Sequence, residues 1–365
     1  MLSVLLFALP TTSLSNLRMS MFGKMAGKVS GKAVPNDLGF TLQQTMLRIK
    51  DPKRSVPFYE KNFGFQLLHQ YDFPQWNFSL YFMGIPKPGT VWPKPGTKAS
   101  EDMLWSMKFE SCLELTHNHG SENDPDFKVN NGNVEPHRGF GHIAVMTPDV
   151  QAACDVLEAN GCDFQKKPNE GRMKGLAFVK DPDGYWIEVI SRSPDSVVPP
   201  EIKFTLAQTM QRIKDPSKSI PFYRDVLKMT LLRESHFGDF SLYFLAQIPP
   251  GEDLPDEESS GEYIRRMYPQ VLELTHNHGT ENDPDFNYHN GNLEDKEKGI
   301  YSGFGHTGFI VDDLTEAVKY LDECKVPFRK RPEDGGMREL AFVLDPDGYS
   351  VEIIQKNGFK LATED

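Results

Sequence analysis

The chain of 365 residues says nearly the same thing twice. The string QQTMLRIKDP at 43–52 returns as AQTMQRIKDP at 207–216. LELTHNHG at 113–120 returns unchanged at 272–279, GFGH at 139–142 returns at 303–306, and DPDGY at 181–185 returns at 345–349. The register holds: Gln44 to Gln208, His142 to His306 and Glu188 to Glu352 are each 164 positions apart. Glu114 to Glu273 is 159, so five residues have moved from one loop to another. Solenoid repeats run roughly 20–50 residues, so this is a duplicated domain. The two copies are each other's control: what both retain separates from what has drifted. The spacing predicts a first unit over 38–193, a linker over 194–201 rich in Pro and polar residues, a second unit over 202–356 and a tail over 357–365.

The formal charge of −12 argues against a nucleic-acid partner, which needs a basic face. Cys112, Cys154, Cys162 and Cys324 form no CxxC and do not recur between the copies. A disulfide framework and a thiolate metal site are therefore not expected, and a reducing compartment, the cytoplasm, fits. Residues 1–37 differ from the rest. Arg18, Lys24, Lys28 and Lys32 come before any acid, and the apolar run 4–9 is far shorter than the ~20 residues that span a bilayer. This segment reads as a targeting extension, toward a plastid or mitochondrion, or as a disordered one. No membrane span is expected.

Phe40 to Ile49 reads as a strand closed by Asp51-Pro52. A helix follows, with Val56, Tyr59 and Phe63 on one face and Gly64 as its stop. Strands are expected at 78–82 and 112–116. The pattern then restarts within the unit: a strand at 141–146, a helix capped by Asp149 and running to Asn160-Gly161, and a hairpin of 176–179 with 185–190. Each half is thus two βαβββ modules, and the chain is an α+β protein with four of them.

Side chains two apart on a strand share a face. Gln44 and Arg48 share one, as do Glu114, Thr116 and Asn118, and Arg138 with His142. Glu188 sits in the apolar string YWIEVI and Glu352 in SVEII, while Glu114 and Glu273 are each flanked by leucines. A carboxylate buried there without a partner is costly, so such groups are normally paired or bound to metal. Each residue alone reads as structural. Four glutamates retained in pairs, with a retained Gln and His, point instead to a Gln/Glu/His/Glu metal site in each half. Oxygen ligands with one imidazole suit Zn²⁺, Ni²⁺, Co²⁺ or Mn²⁺. The HxH pairs His117/His119 and His276/His278 look like ligands, but alternation places them opposite Glu114 and Glu273, in a structural role. Arg48, Arg212, Asn118, Asn277, Arg138 and Lys166 add donors next to the proposed ligands, and guanidinium forks suit a carboxylate substrate.

The strings QQTMLRIKDP, FSLYF (78–82), LELTHN, RGFGH (138–142), MKGLAF (173–178) and DPDGYWIE (181–188) resemble the glyoxalase I (lactoylglutathione lyase) family of the vicinal-oxygen-chelate superfamily. The resemblance covers nearly everything after residue 38. It implies two tandem glyoxalase-type units folded as a pseudo-dimer within a monomer, each site drawing on both units. One site would hold a divalent metal through Gln208, Glu273, His142 and Glu188, the other through Gln44, Glu114, His306 and Glu352. The long segment after Phe82 resembles relatives that use zinc, with nickel or cobalt as the other choices. The implied substrate is the hemithioacetal of methylglyoxal and glutathione, and the implied product S-D-lactoylglutathione. The expected bases are Glu188 and Glu352, partnered by Glu273 and Glu114. Arg212, Asn277, Arg138, Lys166, Arg172 and Met173 would hold glutathione at the first site, and Arg48, Asn118, Lys330 and Met337 at the second. The second site departs from the pattern: Ser302 stands at the position of Arg138, Gly336 at that of Arg172, and Arg338-Glu339 at that of Lys174-Gly175. Weaker binding of the glutathione adduct there, or preference for another adduct, is expected. The alternatives are a non-catalytic metal- or ligand-binding module, and an extradiol dioxygenase. The latter needs a second His on the ligand face, which neither half has.

Overall fold

The computed structural model describes residues 33–361 apart from Val197, Pro200, Glu257 and Glu258. The expected N-terminal extension lies almost wholly outside the described residues.

The first module is β1 (Thr41–Ile49), α1 (Pro52–Phe63), β2 (Gln66–Phe73), β3 (Phe78–Gly84), α2 (Lys98–Ser106) and β4 (Cys112–Asn118). The second is β5 (Phe140–Thr147), α3 (Val150–Ala159), β6 (Asp163–Lys166), β7 (Ala177–Lys180) and β8 (Trp186–Ser191). The third is β9 (Thr205–Ile213), α4 (Pro216–Pro221), β10 (Thr230–His236), β11 (Phe240–Ala246), α5 (Ser260–Arg266) and β12 (Val271–Asn277). The fourth is β13 (Phe304–Val311), α6 (Leu314–Glu323), β14 (Phe328–Lys330), β15 (Met337–Arg338), β16 (Leu340–Leu344) and β17 (Ser350–Gln355), followed by β18 (Lys360–Leu361). Local chemistry sets the boundaries. The Asp51 side chain accepts from Lys53 N at 2.8 Å, and Pro52 fills a first-turn position that needs no donor. Gly64, at φ 70°, ends α1 in the left-handed conformation that a side chain disfavours. Helical spacing then buries Ser55, Tyr59 and Phe63 on one face.

The four modules make two eight-stranded sheets, in the orders β14-β16-β17-β13-β1-β4-β3-β2 and β10-β11-β12-β9-β5-β8-β7-β6. Each sheet therefore joins modules from opposite halves of the chain, first with fourth and second with third. The seams are the antiparallel pairs β1–β13 and β5–β9. The hydrophobic cores follow a different rule. One unites α1 and α3, through Tyr59, Phe63 and Leu157, with Leu113 and Ile187 of the first half. The other does the same in the second half with Tyr223, Leu321, Leu274 and Ile353. These two cores draw mostly on one half each, whereas two smaller clusters cross between halves, Phe82 and Trp105 with Ile310 and Leu340, and Ala144 and Met146 with Leu232 and Tyr263. With the sheets shared as well, neither half can bury its strand edges alone. A pseudo-twofold axis runs through this arrangement. Thr45 Oγ1 meets Thr209 Oγ1 at 2.5 Å, and the Phe140 and Phe304 rings stack at 5.0 Å and 5°. Among the described residues no helix is long and apolar enough to cross a membrane.

Each half closes with the same buried turn. Asp181 accepts from Asp183 N and Tyr185 N, each at 2.9 Å, and from the Tyr59 hydroxyl at 3.0 Å. Burial, and then the neighbouring Asp183 carboxylate, push its carboxyl up to about 7. The Tyr185 hydroxyl donates to the Arg48 carbonyl at 3.0 Å, and Tyr349 does the same for Arg212 at 3.1 Å. A turn in one module thus fixes the strand of another.

Candidate metal centres

One face of each sheet carries one quartet. In the first, Gln208 on β9 and Glu188 on β8 flank Ala144 of β5 from either side, while His142 lies two residues earlier on β5. In the second, Gln44 and Glu352 flank Gly308 of β13 in the same way. A Cβ at Gly308 would stand 2.5 Å from Gln44 Cγ, so the smallest residue leaves Gln44 its place. Glu273 and Glu114 enter from the neighbouring strands β12 and β4.

The first quartet closes through Gln208 Nε2, which donates to Glu273 Oε2 at 2.5 Å and Glu188 Oε2 at 3.2 Å. His142 Nε2 lies 3.4 Å from Glu188 Oε2 and 3.8 Å from Glu273 Oε2. In the second, Gln44 Nε2 reaches Glu352 Oε2 at 2.6 Å and Glu114 Oε2 at 2.8 Å. His306 Nε2 lies 3.3 Å from each carboxylate. All eight residues are buried. The His and the two Glu of each quartet present one ligand atom apiece, all within 4.8 Å of one another.

Burial pushes the His142 and His306 imidazoles down, but the paired carboxylates outweigh it and hold both up to about 9. Burial raises the carboxyls of Glu273 and Glu352. His142 Nε2, His306 Nε2 and Gln44 Oε1 are buried without a hydrogen-bond partner. Orphaned ligand atoms turned toward converging carboxylates are costly unless a cation satisfies them. This donor set fits a divalent ion: imidazole nitrogen, two carboxylate oxygens, and an amide whose Oε1 takes its turn when the group rotates by half a turn.

The other expected residues frame these floors. Arg212 Nη1 donates to the carbonyls of Gly132, Gly139 and Phe140, and its Nη2 to Asn133 Oδ1 at 2.9 Å. Arg48 holds Gly291, Gly303, Phe304 and Asn292 in the same pattern. Both guanidiniums clamp the strand that carries the metal-facing His. Lys166 Nζ donates to Leu176 O at 2.6 Å, and Lys330 Nζ to Met337 O at 2.8 Å and Leu340 O at 3.0 Å, so each ties down the loop before the hairpin that carries Glu188 or Glu352. Arg138 and Asn277 line one cleft of about 460 Å³ with Glu135, Thr280, Phe286 and Tyr288. Asn277 donates to the Tyr288 hydroxyl, and Arg138 Nε pairs with Glu135 at 3.1 Å. Arg172 and Met173 are exposed on the loop between β6 and β7. Asn118 ends β4, and Met337 sits in β15. His117 and His276 bind Glu122 and Glu281, and His119 and His278 bind Ser79 and Ser241, all away from the quartets. The clamp residues Asn133 and Asn292 were missed. Their signal was present, since Asn-Gly-Asn recurs at 131–133 and 290–292.

The model of the Glyoxalase/Bleomycin resistance protein/Dioxygenase superfamily matches residues 41–189 and again 205–353. The chain is 43% identical over 329 residues to a Saccharomyces cerevisiae protein named Glyoxalase I, covering 87% of this chain and 93% of that one. It is 39% identical over 318 residues to a Schizosaccharomyces pombe protein named Lactoylglutathione lyase, covering 87% and 97%. The crystal structure of glyoxalase I from Zea mays superposes with a TM-score of 0.58 at 23% identity, covering 87% of this chain and 92% of that one, a likeness of fold.

Proposed function

The chain belongs to the Glyoxalase/Bleomycin resistance protein/Dioxygenase superfamily, and on that premise we propose that it is a lactoylglutathione lyase, isomerising the methylglyoxal–glutathione hemithioacetal to S-D-lactoylglutathione. One observation carries the reading: two buried quartets, each assembled from both halves, place a carboxylate on either side of an imidazole and an amide. The reaction removes a proton from a weak carbon acid and returns one to the neighbouring carbon. Glu188 is the base of the first site and Glu352 of the second, with Glu273 and Glu114 as the facing carboxylates; buried and fixed on either side, such a pair can take and return a proton. A divalent ion held by each quartet supplies positive charge beside the oxygens on which charge develops.

The ion proposed is Zn²⁺, with Ni²⁺ or Co²⁺ as the other ions that suit this donor set. At the first site the glutathione moiety is assigned to the cleft of Arg138 and Asn277, with Arg212, Lys166, Arg172 and Met173 as its further proposed contacts. At the second it is assigned to the equivalent region around Arg48, Asn118, Lys330 and Met337. Since both quartets are complete within one chain, the working unit is a monomer acting as an internal pseudo-dimer. The cytoplasm is the proposed compartment, in keeping with four cysteines that are all free thiols. The test is thioester formation from methylglyoxal and glutathione by purified chain, before and after metal stripping and return of Zn²⁺, Ni²⁺ or Co²⁺. Ion-dependent turnover is expected. Folded protein inactive with every ion would leave only a binding module.

A further inference from the structure

The second site has lost two cations from its mouth. Ser302 replaces Arg138 and donates to Glu294 Oε2 at 3.0 Å. Gly336 replaces Arg172, and there is no room to restore a side chain: a Cβ on Gly336 would lie 2.2 Å from Trp76 Cζ2. Trp76 in turn stands where the first site has Gly238. The indole has taken over the wall from which a guanidinium would reach.

A different guanidinium has arrived on β14, the edge strand that leads into the Gly336 loop. A bulge between Phe328 and Lys330 interrupts the β14–β16 pairing and places Arg329 over the sheet. Its Nη1 donates to Ser350 Oγ at 2.7 Å. Ser350 lies two residues before Glu352 on β17 and so shares its face. The first site has the same bulge, but with Gln165 in place of Arg329 and Trp186 in place of Ser350. Trp186 packs against Phe178 at 5.4 Å and fills the ground that Arg329 crosses in the other sheet. From Ser350 the contacts run inward: Asn292 Nδ2 lies 3.5 Å from Ser350 Oγ, and Asn292 Oδ1 accepts from Arg48 Nη2 at 2.9 Å. Arg329 is exposed, and among the described residues no carboxylate lies within ion-pair distance of it. Burial lowers the Arg48 guanidinium's pKa, and Arg329 is close enough that its charge lowers it further, against Tyr185, Glu294 and Glu114, which raise it. Two guanidiniums converging on one Ser–Asn pair favour an anion between them.

We propose that Arg329, admitted by the exchange of Trp186 for Ser350, is the carboxylate-binding residue of the second site, taking over from the vanished counterparts of Arg138 and Arg172. The adduct's glutathione carboxylate then meets a guanidinium on β14 itself at the second quartet, whereas at the first it meets Arg138 ahead of β5 and Arg172 on the loop after β6. This rests on the glutathione-adduct reading above.

The metal-loaded full-length chain is titrated calorimetrically with S-methylglutathione, a thioether that cannot turn over. Two binding steps are expected. Arg329→Met should weaken one of them on the order of tenfold, as loss of a charge-assisted contact does, and Arg138→Met should weaken the other. Ser350→Trp, which rebuilds the first site's wall, should weaken the same step as Arg329→Met. The proposal is overturned if Arg329→Met weakens neither step, if it weakens the step sensitive to Arg138→Met, or if Ser350→Trp leaves its step intact. Thioester formation by the unaltered chain is scored separately. Its absence would count against the parent reading, whereas turnover with an insensitive Arg329 would count against this inference alone.

Discussion

The two quartets share every residue type and the same pattern of contacts, yet their surroundings have parted. Around the first, the quartet's face of the sheet is lined by Ala144, Met146, Leu232 and Tyr263, and its rim carries Arg138 and Arg172. Around the second it is lined by Phe82, Trp105, Leu340 and Ile354. There Phe359, from beyond the last core strand, packs its ring 5.1 Å from Tyr71. β18 pairs with β15 and straps the loop over that second site, and the Lys360–Glu339 ion pair at 2.6 Å adds to the strap. The residues that converge on the reaction have been held constant, while those that meet the rest of the ligand have been free to change. Duplication explains this: with one intact copy, the other's rim can drift as long as its floor still pairs its buried charges.

The largest effect should come from the bases. Glu188→Gln and Glu352→Gln should each cut turnover at their own site on the order of 10²–10⁴. In the whole chain, Glu188→Gln should cost more kcat/KM at low substrate, because its site retains the richer cationic rim. Equal losses in the two single variants would break the comparison. Metal content tests the floors directly. His142→Ala and His306→Ala should each remove one of two bound ions per chain, measured by atomic absorption on folded protein. Loss of both ions from a single change would mean that the sites are not independent.

Next in size is a packing difference. Gly336→Arg must push against Trp76 and should destabilise the chain by about 1–3 kcal/mol, read as a lower thermal midpoint. Arg172→Gly, on the exposed loop of the first site, should move it little. Trp76→Gly made together with Gly336→Arg should recover the loss.

The smallest effect is a pH slope in the metal-free chain. Burial holds Asp181 and Asp345 protonated up to about 7, so the folded state keeps protons that the unfolded chain gives up at about 4. Stability falls as pH rises across that window. His142 and His306 are held up to about 9 by their carboxylates, against burial, so their contribution is full below the ordinary imidazole range and is lost as pH climbs toward 9. The thermal midpoint should therefore decline from pH 5 to 9. Asp181→Asn should flatten the lower part of the slope, and Zn²⁺ the upper part. Because the Asp181 turn holds Tyr185 against Arg48, its effect on binding should appear at the second site, and that of Asp345→Asn at the first.

The two buried quartets were legible in the sequence because two signals coincided. Strand alternation put Gln44, Glu114, His306 and Glu352 on site-facing positions, and duplication showed that their charges survived in apolar strings such as YWIEVI. The histidine decoys yielded to the same parity. That modules of opposite halves share a sheet came only from family resemblance, since periodicity gives an element's face and not its neighbour. The rim was illegible for a further reason. Trp76 against Gly336, Arg329 against Ser350 and Phe359 against Tyr71 join residues far apart in the chain, through side chains that cross strands. Sequence by itself determined which residues are buried with charge, because that cost is local to each strand. Only the tertiary structure decided which of them meet and what surrounds the opening, because those contacts depend on how four modules pack.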